Sequence, residues 1–332
     1  MIIRTIDAHT AGEPLRLIVD GFPSVEGTTM LEKREWVRTK HDHLRRALML
    51  EPRGHADMYG ALLTEPERST SDAGVLFTHN EGYSTMCGHG VIAVATIAVE
   101  RALVSPKREG EIVLDTPAGQ VIARPRTRKR GADTHVTSVS FRNVPSFVLH
   151  PAISVRFGTR TLQADVAFGG AFYAIVDSEA AGIPIQRNRL PELRRAGMEI
   201  KRAVETLVRV EHPEQPDLHG IYGTIFTGPA ANAAADLRNV TIFADAEVDR
   251  SPCGTGTCAV MAVLAAMGVL GPEQTFTHES IIGTLFRGRV RSEMQIGELP
   301  AIEPEIEGEA YITGEHAFII DQRDPLKHGF RL

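Results

Sequence analysis

The sequence predicts a mixed α/β (α+β) chain made of two similar halves. Three observations carry this. The chain has 332 residues, and at roughly 150 residues per domain that is room for about two domains. Residues 87–94 read CGHGVIAV and residues 253–260 read CGTGTCAV. Both fit Cys-Gly-x-Gly-x-x-Ala-Val, at an offset of 253 − 87 = 166, half the chain. Each copy opens an apolar helix and is followed by a strand, turn and strand: VLDTPAGQVIA after the first, HESIIGTLFRGRV after the second. The expected halves are residues 1–140 with 308–332, carrying Cys87, and residues 141–307, carrying Cys253.

The elements follow in order. IIRTI and LRLIV read as strands around the polar stretch DAHTAGEP. Residues 28–50 place Met30, Val37, Leu44 and Leu48 at helical spacing among charges, which predicts one amphipathic helix. EPRGHADMYGALLTEP is a loop feeding a short strand. Residues 91–99 form a buried helix opened by the glycine-rich CGHG. Strands at 111–114 and 120–123 flank a TPAG turn. RPRTRKR at 124–130, five basic residues in seven, reads as a solvated hairpin tip. A strand follows at 137–141. FGGAFYAIVD, within 167–177, is a strand entered through a double glycine. A second amphipathic helix over 190–210, a strand over 239–244 and a second buried helix over 254–270 complete the pattern.

Composition narrows the function. There are 36 basic and 42 acidic residues, a net charge of -6, the wrong sign for a protein that neutralises nucleic-acid phosphates. Hydrophobic residues at 42% and charged residues at 23% are ordinary globular usage. The apolar runs 91–99 and 259–270 fall short of the ~18 residues a membrane span needs. MIIRTIDAHTAGEP lacks the features of a secretory signal. A soluble, cytoplasmic protein with no membrane partner is expected. Three cysteines make no disulfide scaffold in a chain this long, which turns attention to thiol reactivity.

A helix start presents unpaired N–H groups and the positive end of the macrodipole. A cysteine there is expected to have a stabilised thiolate and a lowered pKa. The glycines of each motif let the backbone approach a ligand and leave donors for an anion such as a carboxylate. If the halves face each other, one ligand meets two thiols. That arrangement suits proton removal from one face of a carbon and delivery on the other. Three rival readings fare worse or stay open. The fingerprint GHGVIA lacks the apolar strand that dinucleotide binding requires. A zinc site from Cys87, His89, Cys253 and Cys258 fails because Cys253 and Cys258 lie roughly 140° apart on a helix. A regulatory or structural disulfide between the repeats remains compatible with facing cysteines. Cys258, inside TCAVMAVL, reads as a small core residue. His41 and His43 read as solvated, and His212 and His219 sit in a loop with no evident partner. None of the six lysines has the apolar or glycine-rich setting of a Schiff-base lysine.

TIDAHTAGEP at 5–14, EPRGHADMYG at 51–60, MCGHG at 86–90, FGGAFYAIV at 168–176 and DRSPCGTGT at 249–257 together resemble the proline racemase family. That family comprises proline racemase, 4-hydroxyproline 2-epimerase and trans-3-hydroxy-L-proline dehydratase. The resemblance implies the diaminopimelate-epimerase-like fold: two pseudo-symmetric halves, each a curled β-sheet around a central helix, with the site between them. It also implies a homodimer, no cofactor and a small imino-acid substrate. On this sequence Cys87 and Cys253 become the two acid/base thiols. Gly88, His89, Gly254 and Thr255 surround the substrate carboxylate, and Asp249 binds the ring nitrogen. Tyr59 and Phe243 fall at pocket positions that tend to be bulky in racemases and dehydratases and smaller in 4-hydroxyproline epimerases. Cysteine at both positions resembles the racemases and epimerases, since dehydratases typically carry threonine at the second. GYSTMCGH and GAFYAIV look more like the dehydratase branch. The expected ranking is proline racemization, then 3-hydroxyproline dehydration, then 4-hydroxyproline epimerization, with a non-enzymatic imino-acid binder or thiol-redox protein last.

Overall fold

The computed structural model describes residues 1–131 and 133–331. The chain divides into two compact units, one of Met1–Phe141 with Gly308–Leu332 and one of Arg142–Glu307. The first contains β1 (Ile2–Thr10), β2 (Glu13–Asp20), α1 (Met30–Lys40), α2 (Asp42–Met49), β3 (Tyr59–Thr64), β4 (Ala73–His79), β5 (Tyr83–Ser84), α3 (Gly88–Glu100), β6 (Ile112–Thr116), β7 (Gly119–Arg130) and β8 (Asp133–Arg142, its last residue beyond the boundary). The second contains β9 (Ser146–Phe157), β10 (Arg160–Phe168), β11 (Phe172–Asp177), α4 (Ser178–Ala181), α5 (Leu190–Leu207), β12 (Ile221–Gly228), β13 (Leu237–Phe243), β14 (Glu247–Asp249), α6 (Gly254–Ala266), β15 (Thr275–Glu279), β16 (Leu285–Ile296) and β17 (Leu299–Gly308). The last strand, β18 (Ala310–Ile319), returns to the first unit.

The eight-residue repeat is the visible part of a repeat in topology. In the first unit the strands pair in the order β18-β1-β2-β3-β4-β6-β7. In the second the order is β9-β10-β11-β12-β13-β15-β16. Both run antiparallel, antiparallel, parallel, antiparallel, parallel, antiparallel. In the second unit β17 pairs with both β16 and β9, closing a ring of eight strands. Each parallel step is a crossover through helix, as parallel neighbours require. The second crossover in each unit is the buried helix, α3 or α6. Helix α3 touches β1, β2, β3, β7 and β18, so its sheet curls around it. Helix α6 touches β9, β10, β11 and β16. Helix α6 carries no charged side chain and α3 only Glu100 at its last position, and a helix so apolar all round is stable only inside such a wrap.

The outer helices close the cores. Helix α1 starts with a capping box. Thr29 Oγ1 accepts from the Glu32 N–H at 3.1 Å, and the Glu32 carboxylate accepts from the Thr29 N–H at 3.0 Å. The expected single helix over 28–50 is two helices, broken at His41, whose ring packs 4.6 Å from Trp36. The Thr39 hydroxyl turns back onto the carbonyls of Glu35 and Trp36, a local bond that competes with helix continuation. Met30, Val37, Leu44 and Leu48 are buried in one cluster with Ile3, Ile18 and Leu76. Helix α5 buries Leu193, Ala196, Ile200 and Val204. The basic run is exposed from Arg126 to Lys129 but lies along β7 and is not a tip; the Arg130 side chain lies outside the described residues. His212 is buried, with its ring 5.2 Å from Phe147 and 5.0 Å from Phe168, so it has the partners that its loop sequence hid. Among the described residues no helix is long and apolar enough to cross a membrane.

Candidate active site

Each unit carries one cysteine at the start of its central helix. In the first, Cys87 is the N-cap of α3, and its Sγ accepts from the Gly90 N–H at 3.3 Å. His89 Nδ1 lies 3.3 Å from the same sulfur. The His89 carbonyl is held by the Thr10 hydroxyl at 2.9 Å, which ties the helix start to the end of β1. Tyr59 packs edge-on against His89 at 4.7 Å and stacks on His79 at 5.8 Å, with its hydroxyl bonded to Ser84. Cys87, His89 and Tyr59 are all buried. The first unit therefore brings together Cys87, Gly88, His89 and Tyr59.

In the second, Cys253 is the N-cap of α6, and its Sγ accepts from the Gly256 N–H at 3.3 Å. The Tyr173 hydroxyl, on β11, lies 3.8 Å from that sulfur and 2.6 Å from Thr255 Oγ1. Thr255 Oγ1 is itself 3.8 Å from the sulfur. The expected carboxylate partner Thr255 thus commits its side chain to Tyr173. Asp249 accepts from the Ser251 N–H at 2.8 Å and from the Ser251 hydroxyl at 2.7 Å, and the Ser251 hydroxyl in turn accepts from the Cys253 N–H at 3.1 Å. Phe243 stacks on Tyr222 at 5.4 Å, and Tyr222 meets Tyr173 edge-on at 5.9 Å. The second unit therefore gathers Cys253, Gly254, Thr255, Asp249 and Phe243, together with Tyr173, Tyr222 and Ser251.

The two helix starts differ in backbone and in charge. Cys87 has φ −146°, whereas Cys253 has φ 61°, a conformation that side chains other than glycine avoid. A buried network holds it there. Asn239 Nδ2 donates to the Pro252 carbonyl at 2.9 Å and to His278 Nε2 at 2.9 Å. The Thr257 hydroxyl donates to the same carbonyl at 3.0 Å. Its contact with His278 Nδ1 at 2.9 Å then requires a proton on Nδ1, which fixes the neutral tautomer. Burial pushes the His278 pKa down to about 3. Cys253 departs from the expected lowering: burial, then the charge of Asp249, push its thiol up to about 12, against the Gly256 N–H and the hydroxyls of Thr241 and Tyr173. The helix start does stabilise the thiolate, but desolvation outweighs it. Burial likewise pushes Cys258 up, and that residue is fully buried in the core.

The third-position glycines are required by close approach. A Cβ on Gly90 would lie 2.9 Å from Cys87 Sγ and 2.5 Å from the Phe77 ring; one on Gly256 would lie 2.9 Å from Cys253 Sγ and 2.9 Å from Ile225. All three cysteines are free thiols. Among the described residues no three His, Cys, Asp or Glu side chains are grouped to hold a metal ion. Sequence reasoning missed Tyr173, Ser251, Asn239, Thr257 and His278. Tyr173, Ser251 and Thr257 lie inside motifs already singled out, FGGAFYAIV and DRSPCGTGT. Asn239 and His278 carried no local signal.

The family model for proline racemase matches residues 5–331. A trans-3-hydroxy-L-proline dehydratase of Bacillus thuringiensis subsp. konkukian is 46% identical over 332 residues, covering 100% of this chain and 98% of that protein. A 3-hydroxyproline 2-epimerase of Burkholderia multivorans is 44% identical, covering 99% and 97%. A proline racemase of Acetoanaerobium sticklandii is 40% identical, covering 99% and 98%. The structure of a hydroxyproline epimerase from Agrobacterium vitis, with bound trans-4-hydroxy-L-proline, matches with a TM-score of 0.92 at 31% identity, covering 100% of this chain and 95% of that one. A Bacillus anthracis protein of the PhzF family matches at 0.59 with 12% identity, covering 96% of this chain and 100% of that one; this likeness is one of fold, the mixed diaminopimelate-epimerase-like architecture.

Proposed function

The chain belongs to the proline racemase family, and from that premise we propose that it inverts the α-carbon of a cyclic imino acid, with Cys87 and Cys253 as alternating base and acid on opposite faces. The observation that carries this reading is the second cysteine. Cys253 caps α6 as Cys87 caps α3, each sulfur 3.3 Å from the third-position amide. Inversion needs one thiolate and one thiol at a time, and Cys253, pushed up to about 12, enters as the thiol. Gly88, His89, Gly254 and the backbone of Thr255 surround the carboxylate at two helix starts. These donors stabilise the charge that builds as the α-proton leaves. Asp249 keeps the ring nitrogen protonated, which acidifies the α-carbon further. Tyr59 and Phe243 wall the pocket and crowd a 4-hydroxyl group. A secondary ring amine is awkward for imine chemistry, so this route uses no cofactor. Proline ranks first as substrate, and a homodimer is the proposed working form.

One observation favours a second reading. The relative that is 46% identical is named a dehydratase, and dehydration of trans-3-hydroxyproline begins with the same proton removal. It then needs departure of the 3-hydroxyl and no donor on the opposite face, so Cys253 favours inversion. The test is incubation with proline, trans-3-hydroxyproline and trans-4-hydroxyproline in heavy water, followed by chiral and mass analysis. Deuterium uptake with inversion of proline is expected, and Cys87→Ser and Cys253→Ser each abolish net inversion. Conversion of trans-3-hydroxyproline to a cyclic imine, with both proline enantiomers undeuterated, reverses the ranking. Full inversion by Cys253→Ser overturns the two-thiol reading.

A further inference from the structure

Beneath Cys253 lies a pair of hydroxyls with no counterpart in the roles assigned so far. We propose that Tyr173 is a further catalytic residue: paired with Thr255, its hydroxyl supplies the hydrogen bond that the Cys253 sulfur accepts whenever Cys253 is a thiolate. The proposal rests on the reading of Cys253 as a reacting group.

The geometry carries it. Tyr173 is fully buried. Its hydroxyl and that of Thr255 are 2.6 Å apart, and each lies 3.8 Å from Cys253 Sγ. Two hydroxyls carry two protons. The bond between them uses one, so in either orientation the other is left for the sulfur. With the Gly256 N–H at 3.3 Å, the sulfur then accepts from donors on the protein side, and its own proton is directed away from them. The proton count closes. As base, Cys253 thiolate takes the α-proton and becomes the thiol; as acid, it returns that proton to the carbanion. Tyr173 keeps its proton throughout, because burial and the neighbouring sulfur raise its pKa well above the usual phenol range. Such a donor is needed here. The titratable groups of this unit facing the sulfur are Asp249, Tyr173 and Cys258, with Tyr222 behind Tyr173. Asp249 and burial both oppose the thiolate.

The test is the double variant Tyr173→Phe/Thr255→Val in the full chain, which removes both O–H groups, because either one left alone keeps a proton for the sulfur. Iodoacetamide alkylation of Cys253 is followed against pH by peptide mass mapping, with Cys87 in the same molecule as reference. Losing a hydrogen bond to a charged group is expected to move the Cys253 profile up by about one pH unit, so alkylation is about tenfold slower at each pH below the midpoint. Cys87 keeps its profile, and kcat for inversion falls by a similar factor with KM within about twofold. Tyr173→Phe/Thr255→Ala, which removes both O–H groups with less crowding, decides the matter should the first double variant fail to fold, and Thr255→Val alone, which leaves the Tyr173 O–H for the sulfur, shifts Cys253 by less than half as much. An unshifted Cys253 profile, or an equal shift at Cys87, overturns the proposal whatever happens to activity. Failure of the underlying reading is separate: it shows as full inversion by Cys253→Ser.

Discussion

His278 gives the strand β15 a pH-sensitive anchor beneath Cys253, and its effect on stability can be worked out in sign and size. The side chain is fully buried and neutral, with Nδ1–H given to Thr257 and Nε2 accepting from Asn239. Its pKa is about 3 in the folded protein and about 6.5 in an unfolded chain. Between those values the unfolded chain binds a proton that the folded protein refuses. The stabilisation is therefore complete above pH 6.5 and is lost as pH falls toward 3. At pH 5.0 the protonated form of an unfolded histidine outweighs the neutral form about thirtyfold, a loss of about 2 kcal/mol relative to pH 7.5. His43, His212 and His328 are also lowered by burial and add a loss of the same sign, so wild type alone is not diagnostic. The comparison is with His278→Asn, whose amide still donates toward Thr257. Urea unfolding of both proteins at pH 7.5 and 5.0 isolates the group. The stability lost between the two pH values should be about 2 kcal/mol smaller in the variant, whatever its baseline. Equal losses would refute the neutral, doubly bonded His278 and with it the clamp on the Pro252 carbonyl.

Gly90→Ala and Gly256→Ala each place a Cβ 2.9 Å from a sulfur. The helix gains about 1 kcal/mol from alanine but overpacking costs about 1–3 kcal/mol, so melting temperature should change little while inversion falls at least tenfold; undiminished activity in both variants would show that the sulfur positions are not critical. Pyrrole-2-carboxylate, a flat carboxylate resembling the planar carbanion, should bind more tightly than substrate and protect Cys87 from alkylation. Equal alkylation rates with and without saturating analogue would count against a carboxylate site at the helix start.

The sequence made the two central helices legible because their apolar runs and glycine-rich entries are local, and the repeat doubled the signal. It left the boundary at His41 unread, since that break depends on Trp36 packing and on the Thr39 hydroxyl. The hairpin of β9 and β10 was not anticipated. Pro151 interrupts β9, and most of that strand's central residues are exposed or half-buried, so its alternation is faint. Cys87, Cys253 and Asp249 were recoverable from motifs. Tyr173 meets Thr255 across 82 residues and Asn239 meets His278 across 39, distances at which no pattern along the chain reports a contact. The lowered pKa expected for a helix-start cysteine failed at Cys253 because the motif shows the dipole but not the depth of burial.

The repeated frame also shows where the two halves part company. In the first unit, the strand before the helix pairs Phe77 with Ser84. The corresponding pair in the second is Thr241 with Asp249. The first cysteine thus sits among aromatic rings and an imidazole, the second among hydroxyls and a carboxylate. Under the proposed reaction this inequality is necessary. An imino acid has one ring nitrogen, and a second carboxylate opposite it would have no cation to pair with and would carry the full cost of a buried charge. The halves can share a fold and a capped cysteine, because the α-carbon is approached from both faces. They cannot share the group that binds the nitrogen. A neutral Ser84 at the position where the second unit carries Asp249 is the change that a duplicated frame must make to hold an unsymmetrical substrate.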